Sequence, residues 1–135
     1  MKVLFVAGFG PIVRDGEAAG RLYREVLALP GFKEEDGGYW HTESVDGVKA
    51  FGLWPLAHAA ESCFGTASWP ADVPLPQAWI EFDVEDIEAA TAELEAAGHR
   101  LLVANREEPW GQKVSRFLSP EGLLVGVTVT PWMRS

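Results

Sequence analysis

Val84-Glu85-Asp86-Ile87-Glu88-Ala89-Ala90 repeats in kind the earlier stretch Val13-Arg14-Asp15-Gly16-Glu17-Ala18-Ala19. Each opens with the end of an apolar run, then places an aspartate before an alanine-rich segment. A carboxylate there can accept the free N–H groups of a first helical turn, so both stretches predict a strand passing into a capped helix. Downstream of Asp86, Ile87, Ala90, Leu94 and Ala97 recur at three- and four-residue spacing, and Gly98 closes the segment. Downstream of Asp15, Ala19, Leu22, Tyr23 and Val26 do the same, giving a helix over 16–29 that Pro30-Gly31 ends.

The order of elements around the two stretches also repeats. In the first half, a strand over 2–13 and the helix lead into strands over 39–43 and 48–54, joined by an Asp46-Gly47 hairpin turn. In the second half, a strand over 78–84 and the helix lead into strands over 101–104, 114–118 and 123–130, with Pro120-Glu121-Gly122 as the last turn. The chain therefore reads as an internal duplication. One α+β domain spans 1–135, divided into a first βαβββ unit (1–54), a linker (55–76) and a second βαβββ unit (77–135). The linker holds four prolines and many small residues, and 57–62 carries only a weak helical signal.

Composition agrees with a single folded domain. At 135 residues with 47% hydrophobic and 23% charged side chains, the chain has the means to bury a core. Formal charge is −9, from 20 acidic and 11 basic residues, with no Lys/Arg cluster. That surface repels nucleic acid and anionic lipid, and it attracts cations. The apolar start, Val3–Ala7, is followed closely by Arg14 and Asp15 and reads as a first strand rather than a leader. No apolar run approaches a membrane span. A single cysteine, Cys63, favours a reducing compartment, so a cytoplasmic location is expected.

The stretch Glu108-Pro109-Trp110-Gly111-Gln112, followed by Phe117 and Ser119-Pro120-Glu121-Gly122, is the most specific motif in the chain. Together with Asp15, Leu22-Tyr23, Leu27, Val84–Glu88 and Leu94–Gly98, it resembles the vicinal oxygen chelate superfamily of glyoxalases, dioxygenases and bleomycin-resistance proteins. The resemblance runs through nearly the whole chain and is strongest to the bleomycin-resistance-like members. Ser119 stands where those members carry Asp, and Leu123 where they carry Asn. The resemblance implies curved sheets around an open cavity, a homodimer, and a small-molecule ligand.

Catalytic members of such a family hold a divalent metal at four positions, on an early and a late strand of each unit. The early position lies about seven residues before the capping Asp, which selects Gly8 and Trp79. The late position lies four residues after the turn glycine, which selects Phe51 and Gly126. None of these four side chains donates to Zn, Ni, Mn or Fe. A shift of one residue brings in Ala7 or Phe9, Ala78 or Ile80, Ala50 or Gly52, and Val125 or Val127, which are no better. No cofactor is therefore expected.

Other chemistry is sparse. His41, His58 and His99 fall on a strand, the linker and a post-helix turn, so an alternative metal set of His41, Glu43 and Glu81 is a minor reading. Glu81 shares a strand face with Trp79 and is the candidate catalytic base, or else the partner of a ligand cation. Gly8-Phe9-Gly10 lacks the third glycine of a dinucleotide loop. Six tryptophans suggest aromatic walls, and Phe51, Trp54, Trp79, Glu81 and Trp110 form the expected ligand-binding set. The leading expectation is metal-free binding of a hydrophobic or cationic aromatic compound, as in antibiotic-sequestering proteins. The runner-up is a lyase- or isomerase-like enzyme acting on a small carbonyl or aromatic substrate with Glu81 as base. A regulatory partner with a vestigial cavity is a third.

Overall fold

The computed structural model describes residues 1–35 and 37–134. Its strands are β1 (Val3–Val13), β2 (Lys33–Glu35), β3 (Tyr39–Thr42), β4 (Phe51–Pro55), β5 (Ala78–Val84), β6 (Leu101–Glu107), β7 (Lys113–Leu118) and β8 (Leu124–Val129). They form one open eight-stranded sheet in the order β2-β3-β4-β1-β5-β8-β7-β6. The expected α+β architecture of two βαβββ units is present. In each unit the first and last strands pair in parallel, β1 with β4 and β5 with β8. The units join through the antiparallel pair β1–β5, in which Gly8 faces Glu81 and Gly10 faces Trp79.

Helices α1 (Gly16–Gly20) and α3 (Ile87–Ala96) begin as the repeat predicts. The Asp15 carboxylate accepts from the Ala18 N–H, and the Asp86 carboxylate from the Ala89 N–H, each at 3.0 Å. Ile87, Ala90 and Leu94 of α3 bury against Val84, Phe117 and Val127, while Ala97 is exposed. In the first unit the apolar face differs from the expectation. Arg21–Val26 winds as a π-helix, with the Leu27 N–H reaching the Leu22 carbonyl five residues back. This wider turn breaks the 3.6-residue phase, so Leu22 and Val26 point outward and Val26 is 76% exposed. The helix ends at Leu27, because Ala28 adopts a left-handed backbone.

Two further expectations are corrected. The turn at Asp46-Gly47 does not make a tight hairpin: β3 stops at Thr42, β4 starts at Phe51, and Thr42 pairs with Phe51 across a longer loop. The third strand of the first unit is the short β2, whose charged residues gave no apolar alternation. The linker contains a nine-residue helix, α2 (Leu56–Phe64), rather than a weak turn. It buries Ala59, Ala60 and Cys63, contacts β1, β4 and β6, and so spans the two halves of the sheet.

A core of Ile12, Trp54, Ala59, Cys63, Trp79 and Leu124 sits between the sheet and α2. Close approach of β1 and β4 requires glycine at position 10, where a Cβ would collide with the Gly52 carbonyl oxygen. Gly10→Ala should therefore lower stability by about 3 kcal/mol, measured by thermal or urea unfolding. Burial in this core pushes the Cys63 thiol up to about 11, although Arg116 partly opposes the shift. The unfolded thiol ionises at lower pH than the folded one, so its contribution is intact below about pH 9 and is lost as pH rises towards 11. Wild type should lose roughly 2 kcal/mol across that window beyond what Cys63→Ala loses, as pH-dependent urea denaturation would measure.

Candidate functional site

Alternation along the strands directs one row of each towards the concave face. On β4 the row is Ala50, Gly52 and Trp54; on β5 it is Trp79, Glu81 and Asp83. Residues from both units, α2, the 108–112 loop and the C-terminal turn enclose a cavity of 580 Å³ on this face.

The two units calibrate each other. Phe9 pairs with Phe51 in the first unit, as Ile80 pairs with Val125 in the second. Phe51 therefore corresponds to Val125, and the counterpart of Gly126 is Gly52. This corrects the count made from the turn glycines, because the loop after Gly47 differs from the turn at Gly122. It also removes Phe51 from the cavity. Its ring packs with Phe9, Tyr23 and Phe32, at centroid distances of 6.3, 5.8 and 6.4 Å, on the helix side of the sheet.

The four concave-face positions corresponding to the family's metal ligands are thus Gly8, Gly52, Trp79 and Gly126. The space their side chains would use is filled. A Cβ at Gly8 would lie 3.2 Å from the Trp79 ring, one at Gly52 would lie 2.8 Å from the Tyr39 ring and hydroxyl, and one at Gly126 would lie 3.2 Å from Glu81 Cγ. Among the described residues, no three His, Cys, Asp or Glu side chains converge as a metal site. His41 sits 3.2 Å from Glu35 and Glu81 turns to Arg116, so the set His41, Glu43 and Glu81 does not assemble, although all three line the cavity. The residues present do not fit a divalent metal at the family's position.

Glu81 is held from both sides. Arg116 Nη1 donates to its Oε1 at 2.6 Å, and Gln112 Nε2 donates to its Oε2 at 3.0 Å. Arg116 is 1% exposed, and its guanidinium stacks over the Trp54 ring at 4.6 Å. Gln112 also donates to the Thr128 hydroxyl, and its Oε1 accepts from Trp110 Nε1 at 2.9 Å. That last bond sets the amide so that its NH2 faces Glu81. Trp110 stands at the cavity mouth, 55% exposed, on a turn that Gly111 closes with a left-handed backbone. Ser119 replaces the missing Asp of the following turn, since its hydroxyl accepts from the Leu123 N–H.

Of the expected ligand-binding set, Trp54, Trp79, Glu81 and Trp110 line one cavity, and the Trp54 and Trp79 rings meet edge to face at 5.8 Å. The wall residues that were not foreseen include Tyr39, Gln112, Arg116 and Trp132. Arg116 left a signal, a charge within the apolar run Val114–Leu118. Trp132, 52% exposed, owes its place to a C-terminal clasp. Asp83 accepts from Thr130 N–H and from Arg134 Nε, each at 2.9 Å, and this fixes the turn Pro131–Met133 over the cavity. Towards the mouth, Arg106 pairs with Glu108, which leaves Glu35, Glu43 and Glu61 as the acidic excess of the lining.

Because Arg116 is buried, Glu81 is the carboxylate that compensates it. Glu81→Leu should destabilise the fold by about 3 kcal/mol, and adding Arg116→Met should recover most of that loss in a double-mutant denaturation cycle.

Comparison with known proteins follows the same lines. The model of the Glyoxalase/Bleomycin resistance protein/Dioxygenase superfamily matches residues 9–127. Among solved structures, a superfamily member from Vibrio splendidus 12B01 is 17% identical with a TM-score of 0.60, covering 93% of this chain and 97% of its own. A methylmalonyl-CoA epimerase in complex with methylmalonyl-CoA and NH4+ is 16% identical with a TM-score of 0.61, covering 99% of each. A structure described as NAD-dependent benzaldehyde dehydrogenase from Legionella pneumophila is 11% identical with a TM-score of 0.60, covering 90% of this chain and 96% of its own. No curated protein matches the sequence. At these identities the structural likenesses speak for the fold alone, while the family match over most of the chain places this protein in the glyoxalase/bleomycin resistance/dioxygenase superfamily.

Proposed function

We propose that this protein binds a hydrophobic or cationic aromatic small molecule in the concave cavity without a divalent metal. One observation carries the reading: the metal-ligand positions are Gly8, Gly52, Trp79 and Gly126, and aromatic rings and the Glu81–Arg116 pair fill the space those side chains would use. Trp110 and Trp132, exposed at the cavity's edge, offer stacking faces to a planar ligand, and Tyr39, Trp54 and Trp79 give the interior an aromatic lining. Glu35, Glu43 and Glu61 favour a positive charge on it. Sequestration of an antibiotic in the cytoplasm, by a homodimer of such chains, would be consistent with this chemistry.

The enzymatic alternative, with Glu81 as general base acting on a small carbonyl or aromatic compound, has weaker support. Both oxygens of Glu81 already accept from Arg116 and Gln112, so a proton would have to be taken by a group locked in an ion pair.

Titration of tryptophan emission with bleomycin, the planar cation berberine and the neutral quinone menadione tests the binding reading. At least one should saturate at one molecule per chain, with affinity indifferent to a chelator. Trp110→Ala and Trp132→Ala, both at exposed positions, should each weaken it about tenfold. An affinity lost on chelation and restored by a divalent metal would refute the metal-free reading, and failure of every probe would refute binding of this class.

A further inference from the structure

The side chain of Tyr39, half-buried on β3, lines the cavity and makes no hydrogen bond among the described residues. The side chain stands over Gly52, the metal-ligand position of β4, and only the lack of a Cβ there lets ring and hydroxyl come so close. His41 stacks flat against the ring at 5.0 Å and 13°, which restricts the ring to that orientation. Among the described residues, the hydroxyl has no hydrogen-bond partner. The hydroxyl is not among the buried polar atoms that lack a partner, so it is open to the cavity and free to donate to a molecule that enters it.

Its surroundings define what that is. Burial first, then the carboxylates of Glu81, Glu35 and Glu43, push the hydroxyl's pKa well up, and Arg116 opposes them only in part. The group is therefore a neutral phenol throughout the physiological range, able to donate. The same three carboxylates repel an anionic acceptor such as a carboxylate or phosphate. A neutral acceptor on a flat ring meets no such penalty, and the exposed Trp110 and Trp132 rings border the same cavity to receive its faces.

Resting on the binding reading above, we propose that the Tyr39 hydroxyl is the cavity's specificity-determining donor, and that it selects planar ligands bearing a neutral acceptor: a ring nitrogen or a ring carbonyl oxygen. The phenol recognises this atom at the place where other members of the superfamily would present a metal ligand.

A matched pair of probes isolates the contact. Quinolin-4-ylmethylammonium and naphthalen-1-ylmethylammonium share shape and charge, and differ only in a ring nitrogen against a C–H. Isothermal titration at neutral pH, where the ring nitrogen is unprotonated and both ammonium groups keep their charge, should give the quinoline about five- to tenfold higher affinity for wild type, the size of one neutral hydrogen bond. Tyr39→Phe keeps the ring and its stack on His41, and should erase that preference, so that the two probes bind the variant equally. Equal affinities in wild type, or a preference that survives in Tyr39→Phe, would overturn the proposal and leave the binding reading standing. Failure of both probes to bind wild type would overturn the two together.

Discussion

The antiparallel seam between β1 and β5 is the contact on which everything else in the molecule depends. Each βαβββ unit alone is a four-stranded half-sheet with one face covered by its helix and the other open. Pairing β1 with β5 makes one continuous eight-stranded surface and brings the two open faces together as a single concavity. The register of that seam sets Gly8 against Glu81 and Gly10 against Trp79, so these two large side chains of the second unit each meet glycine from the first. Glycine at the seam serves close packing rather than a special backbone turn.

From this geometry follows the chemistry of the concave face. Where side chains from four strands could have met around an ion, three positions have none, and neighbouring groups have moved in. The Trp79 ring takes the space over Gly8, the Tyr39 ring that over Gly52, and the Glu81–Arg116 pair that beside Gly126. A fixed guanidinium thus lies beside one of those positions, compensated by a carboxylate and stacked on Trp54. Its burial makes it dependent on its partner, since an unpaired charge in that environment costs several kcal/mol by order of magnitude. Gln112, aligned by Trp110, connects this interior pair to the mouth.

The parts that were hard to read are those with no periodic signal of their own. A π-helical turn changes the residues that face inward without changing the residue types, so Leu22 and Val26 looked buried and are not. Lys33–Glu35 is a strand only because β3 offers it hydrogen bonds at the sheet edge. Helix α2 sits among prolines that suggested an irregular linker, yet Ala59, Ala60 and Cys63 give it a small-residue face that fits closely on the sheet. Phe51 was placed by counting from a turn, and a difference in loop length moved it to the opposite face, because side chains alternate with a period of two.

The sequence by itself determined the duplication, the two aspartate caps, the succession of strands along the second unit and the family. Those are local or repetitive features, written in caps, alternation and turn residues that act over a few positions. It also revealed that ligand-type side chains were missing from the family's metal positions, since that needed only residue identity at an approximate register. Which face each residue occupies, the pairing of Glu81 with Arg116, the clasp of Arg134 on Asp83 and the exposure of the Tyr39 hydroxyl to the cavity were decided by tertiary structure. These depend on the seam between β1 and β5 and on the reach of side chains from strands far apart in the chain, and no local pattern encodes such distances.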